Sequence, residues 1–305
     1  MVNDLNIAGW VDANDDGEFQ SEEFEQSRCC FDFDGDGEKD NKLGDVIILA
    51  GSLGDGLDIP GLNAQLQESI DDGSLIIIFE HMGLDDLVEA AFDINFLFGE
   101  LDSVESITGD GSATNPVLID PQSFDEGSYP QAQIPDAALA EGAVTAGPGN
   151  ARLQLDLLGA QLSLAIRQVQ IRSTVPDTPE SGLDDKGVFL QEGELGGFAT
   201  IADLYDALNG FASTCECYGL EEGETLISYD ENDPVNTDLV TCADVETDTC
   251  DDTCGTIAQY CSSAVPIIAG QADLDSDGDG VKDSITVGLT FTAAGADITG
   301  VASGQ

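Results

Sequence analysis

The sequence predicts a mainly β fold, an antiparallel β-sandwich or meander with a few short helices, acidic loops and disulfide staples. Apolar and polar residues alternate over long stretches, as they do in strands that bury one face. Segments rich in Gly, Asp, Asn and Ser separate these stretches and are typical of turns. Eight cysteines lie in a chain of 305 residues, which is long enough for one large domain or two ordinary ones.

The alternation is clearest in the middle of the chain. Segments 138–145, 151–158 and 161–175 predict a meander of three strands. The apolar positions of the last segment move one residue out of step near Arg167 and Gln168. An extra residue in one strand has this effect, so the pattern indicates a β-bulge there.

Other strands are predicted on both sides of the meander. The runs 75–79, 92–98 and 117–119 have buried or alternating patterns, and 284–292 predicts a strong final strand. Residues 188–198 are expected to be extended.

Helices are predicted at few places. In the run from Pro60 to Asp72, Leu62, Leu66 and Ile70 are spaced four residues apart, which predicts an amphipathic helix. Thr200, with an acidic residue three positions later, predicts a helix start of the capping-box type. We expect residues 1–11 to form a helix or an extended arm, 46–49 a short buried element, and 214–261 an acidic, irregular segment held by disulfides.

The charge of the chain is extreme. The net charge is −53, from 61 acidic and 8 basic residues. Most of these carboxylates must lie on a solvated surface, where salt screens their repulsion. This balance favours a saline, calcium-rich milieu, and it disfavours nucleic acid and anionic lipids as partners because both require basic patches.

One N-terminal stretch has the spacing of a complete calcium loop. Asp12, Asn14 and Asp16 would supply side-chain oxygens, Glu18 a backbone carbonyl, and Glu23 a bidentate carboxylate. A glycine at the sixth position permits the sharp reversal. The stretch fits the EF-hand pattern at each of these positions.

Two further stretches share a shorter acidic pattern. The predicted ligands are Asp32, Asp34, Asp36, Glu38 through its carbonyl and Asp40 in the second loop, and Asp275, Asp277, Asp279, Val281 through its carbonyl and Asp283 in the third. Asp45 and Asp273 are candidates for completing the two ligand shells. The pattern resembles dockerin and thrombospondin type 3 calcium repeats, and the resemblance covers the loops alone. It implies Ca²⁺ as the bound ion; ordinary acidic turns and Mg²⁺ are the alternatives.

The loops suggest a division of the chain. Residues 1–45 form a calcium-loop segment, and residues 46–305 form a β-rich domain. That domain carries a cysteine-rich insertion at 214–261 and the third calcium loop at 273–283.

The cysteines predict four disulfides. Cys29 and Cys30 are adjacent, and the other six lie between residues 215 and 261. Zinc is the alternative, but Cys-x-x-Cys is absent and His81 is the only histidine. We expect Cys29 and Cys30 to find separate partners, one of them in the later cluster.

The cysteines favour an exported protein, secreted or at a cell surface. The sequence shows no leader and no apolar run that is long enough for a membrane span, so we expect the numbered chain to be a processed form.

No common catalytic motif is present, and we expect His81 to be structural. The expected function is that of an extracellular calcium-binding structural or adhesive protein. It would associate with itself or with another extracellular protein, as in a calcium-stabilised surface assembly or filament. A carbohydrate- or lipid-binding β-sandwich module and a secreted hydrolase are the alternatives.

Overall fold

The computed structural model describes residues 1–8, 29–51, 59–84, 91–102, 116–125, 129–157, 160–176, 188–221, 223–247, 249–250 and 252–303. Its strands are β1 (Val2–Ile7), β2 (Ile76–Met82), β3 (Phe92–Leu101), β4 (Pro116–Ile119), β5 (Gln133–Ala140), β6 (Ala143–Leu157), β7 (Ala160–Thr174), β8 (Leu190–Thr200), β9 (Ile227–Ser228), β10 (Thr241–Cys242), β11 (Ser284–Ala293) and β12 (Asp297–Val301). Its helices are α1 (Lys42–Gly51), α2 (Ile59–Asp71), α3 (Ile201–Ala212) and α4 (Asp252–Ala269). The predicted mainly β class is confirmed.

Most strands belong to one 10-stranded sheet with the order β1-β11-β8-β7-β6-β5-β3-β4-β12, and β2 pairs with β3 beside this path. Neighbouring strands are antiparallel except β12 and β4, which are parallel. The sheet folds over on itself. As a result, the ring of Phe79 on β2 packs edge-on against Phe291 on β11, with ring centroids 5.1 Å apart.

The main hydrophobic core lies between the facing parts of this sheet and under α2. Leu62, Leu66 and Ile70 of α2 are buried in the same cluster as apolar residues of β1, β2 and β11. The predicted helix and its apolar face are therefore confirmed. A side chain the size of Leu stabilises the fold by about 1.5–3 kcal/mol when it is fully buried.

The predicted meander is also confirmed, as β5, β6 and β7, but the segment 138–145 is wrong as its first strand, because it contains the turn at Glu141 and Gly142 that joins β5 to β6. Its bulge lies where the alternation changes phase: the register with β8 shifts between Arg167 and Gln170, and Gln168 has a φ of 48°. Leu153 and Leu164 remain opposite each other on the buried face.

A second, smaller core lies beneath α3 and α4. The predicted capping box starts α3: the Asp203 N–H donates to Thr200 Oγ1 over 3.0 Å, and the Thr200 N–H donates to Asp203 Oδ2 over 3.2 Å. Tyr205 and Ile285 are fully buried in this core. It brings the cysteine-rich segment onto the sheet.

The expectation of an irregular 214–261 segment is wrong at its end, where α4 begins. Cys254, Cys261 and Val265 recur at helical spacing and bury one face of α4 in the second core. The disulfides therefore reinforce a small core and do not replace it.

The structure also defines the two N-terminal segments whose conformation was left open. Residues 1–11 contribute the strand β1, and the element expected at 46–49 is part of helix α1. Strand β12 was not predicted.

Candidate metal centre

The first predicted loop lies outside the described residues. This applies to its ligands Asp12, Asn14, Asp16, Glu18 and Glu23, and they stay a prediction.

The second loop is closed by hydrogen bonds between its carboxylates and its own backbone. The Asp32 carboxylate accepts the N–H of Gly35 over 2.7 Å and the N–H of Gly37 over 2.9 Å. The Asp34 carboxylate accepts the N–H of Asp36 over 3.0 Å. Asp40 reaches back across the loop and accepts the N–H of Phe33 over 2.6 Å. The first and last acids of the loop thus turn their oxygens inward.

The third loop repeats this network. The Asp275 carboxylate accepts the N–H of Gly278 over 2.8 Å and the N–H of Gly280 over 2.9 Å. Asp283 reaches back to the N–H of Ser276 over 3.1 Å, as Asp40 does to Phe33. The two loops therefore share one conformation, although 243 positions separate Asp32 from Asp275.

The shared conformation explains the glycines. Gly35 and Gly37 have φ values of 80° and 93°, and Gly278 and Gly280 have 80° and 92°. These values lie where an L side chain is strained, so the reversal that turns the carboxylates inward requires glycine.

In each loop, three carboxylates converge closely enough to hold one ion. The groups are Asp32, Asp34 and Asp40 in the second loop and Asp275, Asp277 and Asp279 in the third, and the oxygens of each group lie within 4.8 Å of one another. Oxygen clusters of this kind suit a hard cation such as Ca²⁺.

The other predicted ligands border these groups. Asp36 accepts the N–H of Glu38 over 2.8 Å, and Asp279 accepts the N–H of Val281 over 2.8 Å. Asp283 also accepts the Ser276 hydroxyl over 2.8 Å.

Both loops are anchored to β11. The third loop runs directly into this strand at Ser284. The second loop is followed by Asn41, whose Oδ1 accepts the buried N–H of Gly288 over 3.0 Å. The N–H of Lys42 then donates to Thr286 Oγ1 over 2.9 Å.

Thr286 also connects the anchor to the third loop. Its hydroxyl donates to the Asp273 carboxylate over 2.6 Å, and its N–H donates to the same carboxylate over 2.9 Å. The Asp273 carboxylate, considered above as an extra ligand of the third loop, is therefore bound to Thr286 on β11. A short chain of hydrogen bonds runs from Lys42 through Thr286 to Asp273.

The acidic surroundings of the loops disfavour negative charge. Burial raises the pKa of Asp40, and the charges of Asp34 and Asp273 raise it further. Burial also raises the pKa of Asp273. A bound divalent cation would offset this repulsion.

Cations of the chain gather beside the loops. Lys39 and Arg172 each lie 2.8 Å from the Glu194 carboxylate. Lys42 pairs with Asp45 at 2.6 Å, so the carboxylate considered as a later ligand is held by a lysine. Arg167 forms a two-pronged pair with Asp203 at 2.9 Å.

The residues before the second loop lie on the sheet. The guanidinium carbon of Arg172 is 4.3 Å from the centroid of the Phe31 ring, and Arg172 also donates to the carbonyl of Cys30. The ring occupies the space above Gly196, where a Cβ would lie 2.5 Å from Phe31 Cδ2. Gly196 thus makes room for the loop.

The expectation for Cys29 and Cys30 is wrong. Neither of them pairs with a cysteine of the later cluster. The reason is that the six later cysteines pair among themselves, as Cys215–Cys254, Cys217–Cys250 and Cys242–Cys261.

His81 lies near the end of β2 and belongs to neither acidic group. Burial lowers its pKa to about 4, and its ring packs edge-on against Phe92 with centroids 5.5 Å apart. No residue in the described ranges offers its buried Nε2 a hydrogen bond. The ring is therefore neutral at pH 7.

Comparison of the chain with protein-family models, curated proteins and solved structures found no match. Within the described residues, no helix combines the length and the apolar character that a membrane crossing needs.

Sequence reasoning missed the groups that hold the loops in place. Asn41, Thr286 and Arg172 are ordinary polar residues in the sequence. No local pattern distinguishes them, because each acquires its role from a strand that is distant along the chain.

Proposed function

We propose that this protein is an extracellular calcium-binding structural protein. The observation that carries the proposal is the pair of acidic loops with one hydrogen-bond network, both anchored to β11. The proposed ion is Ca²⁺ because each loop offers several inward oxygens, whereas Mg²⁺ keeps most of its water and rarely takes an all-protein cage.

In the proposed mechanism, calcium binds the N-terminal segment to the sheet. Residues 29–51 contact β11 and β8 through Asn41, Lys42, the ring of Phe31 and the Lys39–Glu194 ion pair, and apolar residues of α1 also pack against the main core. The surrounding carboxylates repel one another. Ions in the two loops would remove that repulsion and hold loop, helix α1 and strand β11 in one arrangement.

The loops suit a structural role because their carboxylates also hold the backbone. Asp32 and Asp275 each accept two backbone N–H groups. An ion that binds the folded loop and not the unfolded chain stabilises the fold by mass action.

Disulfides and the net charge of −53 support an exported protein in a saline medium. Within the proposal, the calcium-fixed surface is one that packs against another copy or an extracellular partner, as a subunit of a surface assembly.

Hydrogen–deuterium exchange tests the mechanism. Adding Ca²⁺ should slow exchange in residues 31–40 and 275–283, and also in α1. An equal concentration of Mg²⁺ is the control for general screening of charge. Exchange in α1 that responds equally to both ions would contradict the proposed anchoring by calcium.

The same material answers the question of assembly. If a calcium-fixed surface mediates packing, light scattering from the concentrated protein should fall when a chelator is added. Undiminished scattering would count against that part of the proposal.

A further inference from the structure

The two end strands of the large sheet are treated differently. At one end, α2 covers β1: Asn63 Oδ1 accepts the N–H of Ile7 over 2.8 Å, and Gln67 Nε2 donates to the carbonyl of Asn3 over 3.2 Å. Side chains thus occupy backbone groups on the outer edge of β1.

The other end strand, β12, lacks such a cover within the described part of the chain. It pairs with β4 on one side, and no described strand pairs with its other side. Its apolar side chains are exposed, Ile298 by 40% and Val301 by 57%. Open strand edges of this kind pair readily with another strand, and natural proteins commonly protect them with charge or proline.

The local charge is the second observation. Acidic residues make up 61 of the 305 positions, yet Asp297 is the only charged side chain from Ser284 to Gln305. A chain of net charge −53 repels its own copies over most of its surface. Because β12 carries a single charged side chain, Asp297 at its first position, two copies can approach at the edge of this strand with less of that repulsion.

We propose that β12 pairs antiparallel with β12 of a second copy across a twofold axis. Such an interface is self-complementary, because each strand presents the same edge to the other. It joins the two sheets into one continuous sheet. A five-residue edge is small, so we expect a weak dimer with a dissociation constant roughly in the micromolar range.

The backbone identifies the groups that would form the new bonds. The N–H of Ala302 donates to the carbonyl of Ile119 over 2.9 Å and so points toward β4. Because successive backbone groups of a strand point to opposite sides, the N–H of Val301 points away from β4, toward the open edge.

The pairing does not depend on the proposed calcium sites. The third loop adjoins Ser284 at the start of β11, and β12 follows Ala293 at its end. The ten residues of β11 are about 30 Å long at about 3.3 Å per residue, and the third loop and β12 adjoin opposite ends of this strand.

Sedimentation equilibrium of the full chain tests the proposal. It should be run in about 0.5 M NaCl, which screens the net charge, over loading concentrations of roughly 1 to 500 µM. We expect a monomer–dimer equilibrium in the wild type, both with calcium and with a chelator. Val301→Pro removes the outward N–H and keeps the bond from Ala302, and Val301→Asp adds a like charge at the edge; each should weaken dimerisation about tenfold or more.

Leu239→Asp is the matched control, because Leu239 is 47% exposed and lies outside the large sheet. It should leave the dissociation constant within about twofold. Circular dichroism checks that each variant folds.

A wild type that stays monomeric at the highest concentration would overturn the proposal. So would a dimer that both Val301 variants leave unchanged. A dimer that persists in a chain without measurable calcium binding would refute the proposed function and leave this interface standing.

Discussion

Calcium should raise the thermal stability of this protein by an amount that can be worked out from the two described loops. Extracellular calcium modules bind with dissociation constants of about 10⁻⁴–10⁻³ M. At about 10 mM Ca²⁺, each loop would then add about 1.4–2.7 kcal/mol by mass action, or about 3–5 kcal/mol for the pair. At about 2 °C per kcal/mol for a chain of this size, the midpoint should rise by roughly 6–10 °C.

A single substitution should remove about half of this rise. In Asp275→Asn the side chain keeps its shape, but it loses the charge and one of the two oxygens that accept the N–H groups of Gly278 and Gly280. We expect a loss of about 1 kcal/mol in a chelator, from the missing hydrogen bond. In calcium, the loss of stability should be larger, because the variant also loses most of the stabilisation that calcium gives through that loop. Asp32→Asn should behave alike, because the second loop has the same network.

Scanning calorimetry in calcium, in magnesium at equal concentration and in a chelator gives the three comparisons. Asp238→Asn is the matched control, since Asp238 is exposed and lies outside the loops. The reasoning would be refuted by a calcium shift that magnesium reproduces in full. A shift equally large in both loop variants and the wild type would refute it as well.

Two further predictions concern the rest of the fold. Replacing both members of Cys215–Cys254 or Cys242–Cys261 by Ser should lower the free energy of unfolding by about 3–4 kcal/mol, because the bridges span 39 and 19 residues. Urea unfolding measures this loss, and peptide mapping under non-reducing conditions checks the pairing. Any link from Cys29 or Cys30 to these cysteines would contradict the pairing. Burial lowers the pKa of His81 from 6.5 to about 4, so the folded chain resists a proton that the unfolded chain accepts. This contribution to the free energy of unfolding is complete above pH 6.5 and falls by up to about 3 kcal/mol as the pH drops toward 4. In urea titrations between pH 7 and 4.5, His81→Phe should lose less stability than the wild type, because it lacks the group that takes up the proton. If the stabilities of the two proteins fell in parallel with pH, the prediction would be wrong.

Much of the β architecture could be predicted from local patterns. The meander, its bulge at Gln168 and the helix that buries Leu66 each follow from the period of apolar residues. The capping box at Thr200 needs only one residue pair, and that pair forms. These features are encoded within a few neighbouring positions.

Features that depend on distant partners could not be predicted. Strand β12 has exposed side chains and is held by its pairing with β4. Its sequence therefore has no alternation of apolar and polar residues that would predict a strand. Helix α4 was hidden because its acidic, cysteine-rich surroundings suggested an irregular segment. The positions of Cys254, Cys261, Val265 and Ala269 indicate its buried face.

The candidate site divides in the same way. Spacing alone identified both loops, because glycines and acids at fixed offsets determine the backbone reversal. Spacing could not indicate that both loops contact β11. That contact depends on hydrogen bonds between Asn41 and Gly288 and between Lys42 and Thr286, which are distant along the chain. Spacing likewise could not indicate that Cys29 and Cys30 stay apart from the later cysteines, because the six later cysteines pair among themselves.

Crystals grown in calcium and measured for anomalous scattering test the central claim most directly. We predict one peak in each loop, about 2.3–2.6 Å from oxygens of Asp32 and Asp34 in one and of Asp275 and Asp277 in the other. Well-ordered loops without peaks at saturating calcium would contradict the account.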